Sequence, residues 1–84
     1  MNYSLSIKQS AAKSLETVPK PDRLRIIDVI DALRTNPAAG SLLKGELSGL
    51  RRVRVGSYRV VYEVVEDRLT ILVVRIGHRR DVYR

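Results

Sequence analysis

The stretch Leu50-Arg51-Arg52-Val53-Arg54-Val55-Gly56-Ser57-Tyr58-Arg59-Val60-Val61-Tyr62-Glu63-Val64-Val65 decides the fold of this chain. Its two arms are rich in β-branched and aromatic residues, which suit a pleated, half-buried surface. Gly56-Ser57 between them is the Gly-X pair of a two-residue type II′ turn, so the stretch predicts a tight antiparallel hairpin. A two-residue turn fixes the register: Val55 opposite Tyr58, Arg54 opposite Arg59, Val53 opposite Val60 and Arg52 opposite Val61. Side chains alternate across a sheet, so Val53, Val55, Tyr58, Val60, Tyr62 and Val64 form one apolar face, and Arg52, Arg54 and Arg59 lie on the other. Like charges directly opposite one another disfavour pairing. A face that keeps Arg54 against Arg59 is suited to an anion, although arginines splayed into water would make the same pattern.

Working outward, Leu69 to Ile76 reads as a further buried strand after a turn at Glu66-Asp67. A three-residue loop, Glu66 to Arg68, sets Val65 against Leu69 and brings Arg75 onto the basic face beside Arg59. A two-residue loop would bury the Arg75 charge, at a cost of several kcal/mol. Upstream, Asn2 to Lys8 alternates as a short strand with Tyr3, Leu5 and Ile7 on one side. Ser10 is placed to cap a helix from Ala11 to about Thr17. Pro19-Lys20-Pro21 separates it from a second helix, about Asp22 to Arg34, with Leu24, Ile27, Ile30 and Leu33 as its stripe, widened by Ile26 and Val29. Asp28 and Asp31 beside Arg25 and Arg34 read as solvated ion pairs rather than paired catalytic acids. Pro37 to Gly49 reads as a connecting loop in which Lys44 could reach an anion. The order is β-α-α-β-β-β: an α+β fold with two helices on one face of a small, mainly antiparallel sheet and the other face open and cationic.

At 84 residues the chain is expected to be one domain, 1–84, with a modest core. Without cysteine it can build no disulfide and no thiolate metal site, which suits a reducing cytosol. No signal peptide is visible and the longest apolar run, Ile71 to Val74, cannot cross a bilayer, so a cytoplasmic location and no membrane partner are expected. The net charge is +7, and arginine supplies 12 of the 16 cations. Between Arg51 and Arg84 nine arginines stand against four acids. The guanidinium fork suits phosphate, so the balance points to nucleic acid or an acidic protein.

One histidine and no cysteine leave no zinc site, no acidic cluster resembles a two-metal nuclease, and no phosphate-binding glycine motif is present. No cofactor is expected. The chemistry left open is metal-free RNA cleavage by the substrate's own 2′-OH. That reaction needs a proton removed, charge on the phosphorane stabilised, and the leaving 5′-oxygen protonated. Arginines supply the second as fixed donors. They hardly deprotonate, so Tyr83 or His78 is the candidate acid or base. A tyrosine starts near pKa ~10, and neighbouring guanidinium groups favour its anion. Each residue also has a plainer reading, Tyr83 as a cover for apolar surface and His78 as a surface residue.

Leu43-Lys44-Gly45-Glu46-Leu47, then Leu50 to Tyr62, then Ile76-Gly77-His78-Arg79-Arg80-Asp81-Val82-Tyr83 resemble the RelE branch of the RelE/ParE toxin superfamily. The Tyr58-Arg59-Val60-Val61-Tyr62 stretch marks the superfamily, and the tail from Gly77 to Tyr83 favours RelE over ParE. The resemblance implies a toxin of a type II toxin–antitoxin system, typically a metal-independent endoribonuclease that cuts mRNA on the ribosome. It implies that Arg59 matches the arginine after the turn tyrosine, Arg79 a tail arginine and Tyr83 the tail acid or base. Arg52 and Arg54 fall where the family often has basic residues, frequently lysines. The expected catalytic set is therefore Arg54, Arg59, Arg79 and Tyr83, with Lys44, Arg52, Arg75, His78 and Arg80 binding RNA. Implied partners are a cognate antitoxin and mRNA on the ribosome with 16S rRNA contacts, and operator DNA reached through the antitoxin. Two other functions fit a basic domain of this kind, a ParE-like gyrase inhibitor without nuclease activity and a non-catalytic nucleic-acid-binding module.

Overall fold

The computed structural model describes residues 2–78. The hairpin forms as its residues dictate. Strands β3 (Arg51–Val55) and β4 (Tyr58–Val65) flank Gly56 at φ 60°, the left-handed first corner that a type II′ turn requires of glycine. The pairs are Val55 with Tyr58, Arg54 with Arg59, Val53 with Val60 and Arg52 with Val61, as the turn predicts.

Around the hairpin the chain builds β1 (Ser4–Ile7), α1 (Gln9–Glu16), α2 (Lys20–Leu33), β2 (Ser41–Leu42) and β5 (Thr70–His78). The sheet order is β1-β5-β4-β3-β2. Only β1 with β5 is parallel; the other neighbours are antiparallel. β1 and β2 are the two sheet edges, so the helices between them must carry the chain across one face. α1 lies against β5 and α2 reaches β3. The core between helices and sheet holds Ala11, Val18, Ile26, Ile30 and Leu33 against Val55, Val60, Tyr62, Ile71, Val73 and Ile76. This is the expected α+β fold, two helices on one face of a mainly antiparallel sheet.

Five details differ from the sequence reading. α2 buries Ile26, Ile30 and Leu33 while Leu24 and Ile27 stay 50 % and 43 % exposed. Ile26, Val29, Ile30 and Leu33 already span an arc of about 100°, the width of one core-facing stripe, and Leu24 falls behind it. α1 starts at Gln9, with Lys8 at its N-cap and no side-chain cap, so Ser10 lies inside the first turn, its carbonyl accepting from the Ser14 hydroxyl. Third, of the ion pairs expected on α2, Arg34 with Asp31 forms at 3.1 Å, but Arg25 pairs with Asp22 at 3.1 Å rather than with Asp28.

The fourth difference is the β4–β5 turn. Val65 pairs with Thr70, not Leu69. The connection is four residues long, a 3-10 turn at Glu66–Arg68 closed by Leu69 at φ 47°. One added residue would put every later β5 side chain on the wrong face. A bulge between Val61 and Tyr62 restores the alternation: Tyr62 pairs with Val73, but Val61 pairs with Arg75. Arg75 thus reaches the expected face, opposite Val61 rather than Arg59.

Fifth, the stretch read as a loop contains β2, with Ser41 opposite Arg52. Tyr62 explains it. The buried hydroxyl donates to the Pro37 carbonyl at 2.7 Å and accepts from the Gly40 amide at 2.9 Å. Arg51 Nη1 donates to the Gly40 carbonyl at 2.7 Å. These bonds hold the backbone so close that a Cβ on Gly40 would stand 2.7 Å from the Arg52 carbonyl oxygen, so only glycine fits.

Candidate nucleic-acid interface

The face away from the helices is laid out in rows by the strand register. At the Gly56-Ser57 end lie Arg54, Arg59 and Gly77. The next row is Ser41, Arg52, Val61 and Arg75. Directly opposite residues have Cβ atoms about 5 Å apart and diagonal ones about 7–8 Å. Arg52, Arg54, Arg59 and Arg75 therefore converge on one area, from three adjacent strands. Among the described residues neither row holds an acid, and Glu63 stands one row further, opposite Leu72. Arg54 and Arg75 are exposed, Arg52 and Arg59 half-buried, and Nε of Arg59 is shut off from solvent. Val61, in the middle, is only 1 % exposed.

The remaining candidates stand elsewhere. His78 pairs with Tyr58, and their rings meet edge to face with centroids 5.9 Å apart. Tyr58 packs on the helix-side core, so His78 lies on the side opposite the arginines. It lines a cleft between α1 and the end of β5 with Lys8, Ser14 and Thr17. Lys44 follows Leu43, whose amide bonds the Leu50 carbonyl. Leu50 is four residues from Arg54, about 13 Å at the rise of an extended chain. Arg79, Arg80 and Tyr83 lie outside the described residues. Sequence reasoning gave Tyr62 no task beyond its face and Arg51 none at all. The available signal was a hydroxyl on an apolar face, since a buried tyrosine needs a partner for its O–H.

Such a surface can bind and neutralise phosphate by fork-shaped donors. Among the described residues no group of three His, Cys, Asp or Glu could hold a metal ion, and no helix is long and apolar enough to cross a membrane.

Residues 5–83 match the family model described as "ParE toxin of type II toxin-antitoxin system, parDE". The chain belongs to the RelE/ParE family of type II toxins. Toxin RelE of Mycobacterium tuberculosis is 31% identical to this family member over 84 residues, covering 98% of this chain and 87% of the relative. Toxin RelG of the same organism is 28% identical over 86 residues, covering 100% and 99%. The toxin's fold also matches a solved RelBE2 toxin–antitoxin complex from Mycobacterium tuberculosis with a TM-score of 0.87 and 25% identity, over 94% of this chain and 100% of the other. The RelE-like branch expected from the tail agrees with these relatives.

Proposed function

We propose that this RelE/ParE-family toxin is a metal-independent, ribosome-dependent mRNA endoribonuclease. The observation that carries the reading is the convergence of Arg52, Arg54, Arg59 and Arg75 on one face, from three adjacent strands. In the proposed reaction the 2′-oxygen loses its proton and attacks the adjoining phosphorus. The P–O5′ bond breaks, leaving a 2′,3′-cyclic phosphate and a protonated 5′-hydroxyl. Arg54, Arg59 and Arg79 hold the phosphate and stabilise the phosphorane charge. Tyr83 transfers the proton; His78, the other candidate the sequence offers, stands on the helix side of the sheet, away from the arginines. Arg52, Arg75, Lys44 and Arg80 hold neighbouring backbone. The relatives' solved complex contains an antitoxin, and a cognate antitoxin that covers the basic face is the partner proposed here. The working place is the cytoplasm.

Mapping mRNA 5′ ends after brief expression, with and without translating ribosomes, tests the reading. New ends inside translated frames, absent without ribosomes, are expected. A second reading, a gyrase inhibitor without nuclease activity, has the ParE description of the matched family model in its favour. It predicts a DNA-damage response on induction and intact mRNA.

A further inference from the structure

Val61 is 1 % exposed, yet its register puts it on the opposite side of the sheet from the helix-covered core. Arg52 and Arg75 stand directly opposite it on the two neighbouring strands, and Arg59 is two positions earlier on its own strand. Val61 is thus a buried apolar side chain flanked in register by arginines and outside the helix-side core cluster.

Like charges this close repel and, on a bare polar surface, would splay into water. Arginine stems are apolar and lie down on apolar surface while the head stays hydrated. Valine offers such a surface with a stiff, branched side chain that has few rotamers to lose. We infer that Val61 is a positioning residue: it is the floor against which the stems of Arg52, Arg59 and Arg75 are held, so that their heads converge on one phosphate. The inference rests on the reading of this face as the RNA site. It adds that the geometry of the cluster is set from below by one methyl-bearing residue. Donors fixed before the reaction stabilise developing charge more than donors that must reorganise.

The test compares the full chain with Val61→Ala, Val61→Ile and Val73→Ala. Val73 is a fully buried valine of the helix-side core, so its truncation reports what loss of stability alone does. Three quantities are measured on each protein: the melting temperature, kcat and KM for cleavage of mRNA on programmed ribosomes, and affinity for inorganic phosphate from arginine Nε–H NMR signals. Val61→Ala is expected to lower kcat by about tenfold or more, since an ångström of misplacement can lose ~10²-fold. It should weaken phosphate binding while KM stays within about threefold, the pattern of an interaction made mainly in the transition state. Val61→Ile should restore both, and Val73→Ala should melt lower yet keep kcat and phosphate affinity while folded. Wild-type kcat and phosphate affinity in Val61→Ala overturns the inference, as does an equal loss of kcat in Val73→Ala. If the wild-type protein cleaves nothing, the proposed function falls and the phosphate titration alone decides: weaker binding in Val61→Ala sustains the role of Val61, and unchanged binding removes it.

Discussion

Arg54 and Arg59 face each other directly across the β3–β4 hairpin, on the side of the sheet away from the helices. Two guanidinium groups in that relation work against the hairpin that carries them, typically by about 0.2–1 kcal/mol. Arg54→Thr should therefore raise the urea midpoint by a small, measurable amount. Added salt should stabilise the wild type more than the variant, because it screens a repulsion the variant lacks. Equal salt responses in the two proteins would mean the arginines do not feel each other.

RNA affinity should follow the row structure. Each phosphate contact to a single strand adds ~0.7 to the slope of log K against log salt. Arg75→Ala should weaken binding and lower that slope by about 0.7. Lys44→Ala, at a position well along the sheet, should do the same without changing the cleavage rate of bound RNA. Fluorescence anisotropy across a salt series reads the first, and single-turnover cleavage reads the second. A slope unchanged in Arg75→Ala would place the RNA elsewhere.

Tyr62 should govern the Pro37–Gly40 backbone. Tyr62→Phe removes a hydroxyl that serves two backbone groups, so a loss of about 1–3 kcal/mol in urea unfolding is expected. The hydroxyl also gives the fold an alkaline limit. Burial holds its pKa above the ordinary 10.0, partly offset by the Gly40 amide and the Arg51 charge. A phenol raised on folding contributes stability that is fully present below the unfolded value, ~10. That contribution is lost as pH rises from there through the folded value. Tyr3, raised chiefly by its hydrogen bond to Glu66, acts in the same direction. The fall in stability above that pH should be shallower in Tyr62→Phe than in wild type.

Gly40→Ala should be among the more damaging small substitutions. The added methyl would meet the Arg52 carbonyl oxygen at 2.7 Å and the Tyr62 hydroxyl at 2.8 Å. Backbone must move, and overpacking of this kind typically costs about 1–3 kcal/mol. Release of β2 should appear as faster hydrogen exchange at the Gly40 and Leu43 amides. Unchanged protection there would show that the strand does not depend on this contact.

The hairpin was legible because a two-residue turn leaves no freedom in register: Gly56-Ser57 alone placed Arg54 against Arg59. The β4–β5 connection was not, since Leu69 takes a left-handed conformation that leucine rarely adopts and no residue type marks the bulge. Requiring Arg75 to avoid the core still assigned its face, because burial of a lone charge is expensive whatever the loop length. The α2 stripe was misread because six apolar residues at helical spacing offer two overlapping faces, and only the sheet selects between them. Lys44 and His78 were grouped with the arginines by chemistry. Sequence order alone does not say that Leu43 lies level with Leu50, or that His78 pairs with Tyr58.

Arg59 carries the largest share of the proposed stabilisation, and the single-turnover cleavage rate of mRNA on programmed ribosomes for wild type and Arg59→Ala, with melting curves of both, tests it most directly. The prediction is a loss of at least ~10²-fold, the scale of removing one donor to a developing oxyanion, with the melting temperature unchanged or slightly higher. Wild-type cleavage by a folded Arg59→Ala protein would contradict the claim that this face stabilises the reacting phosphate.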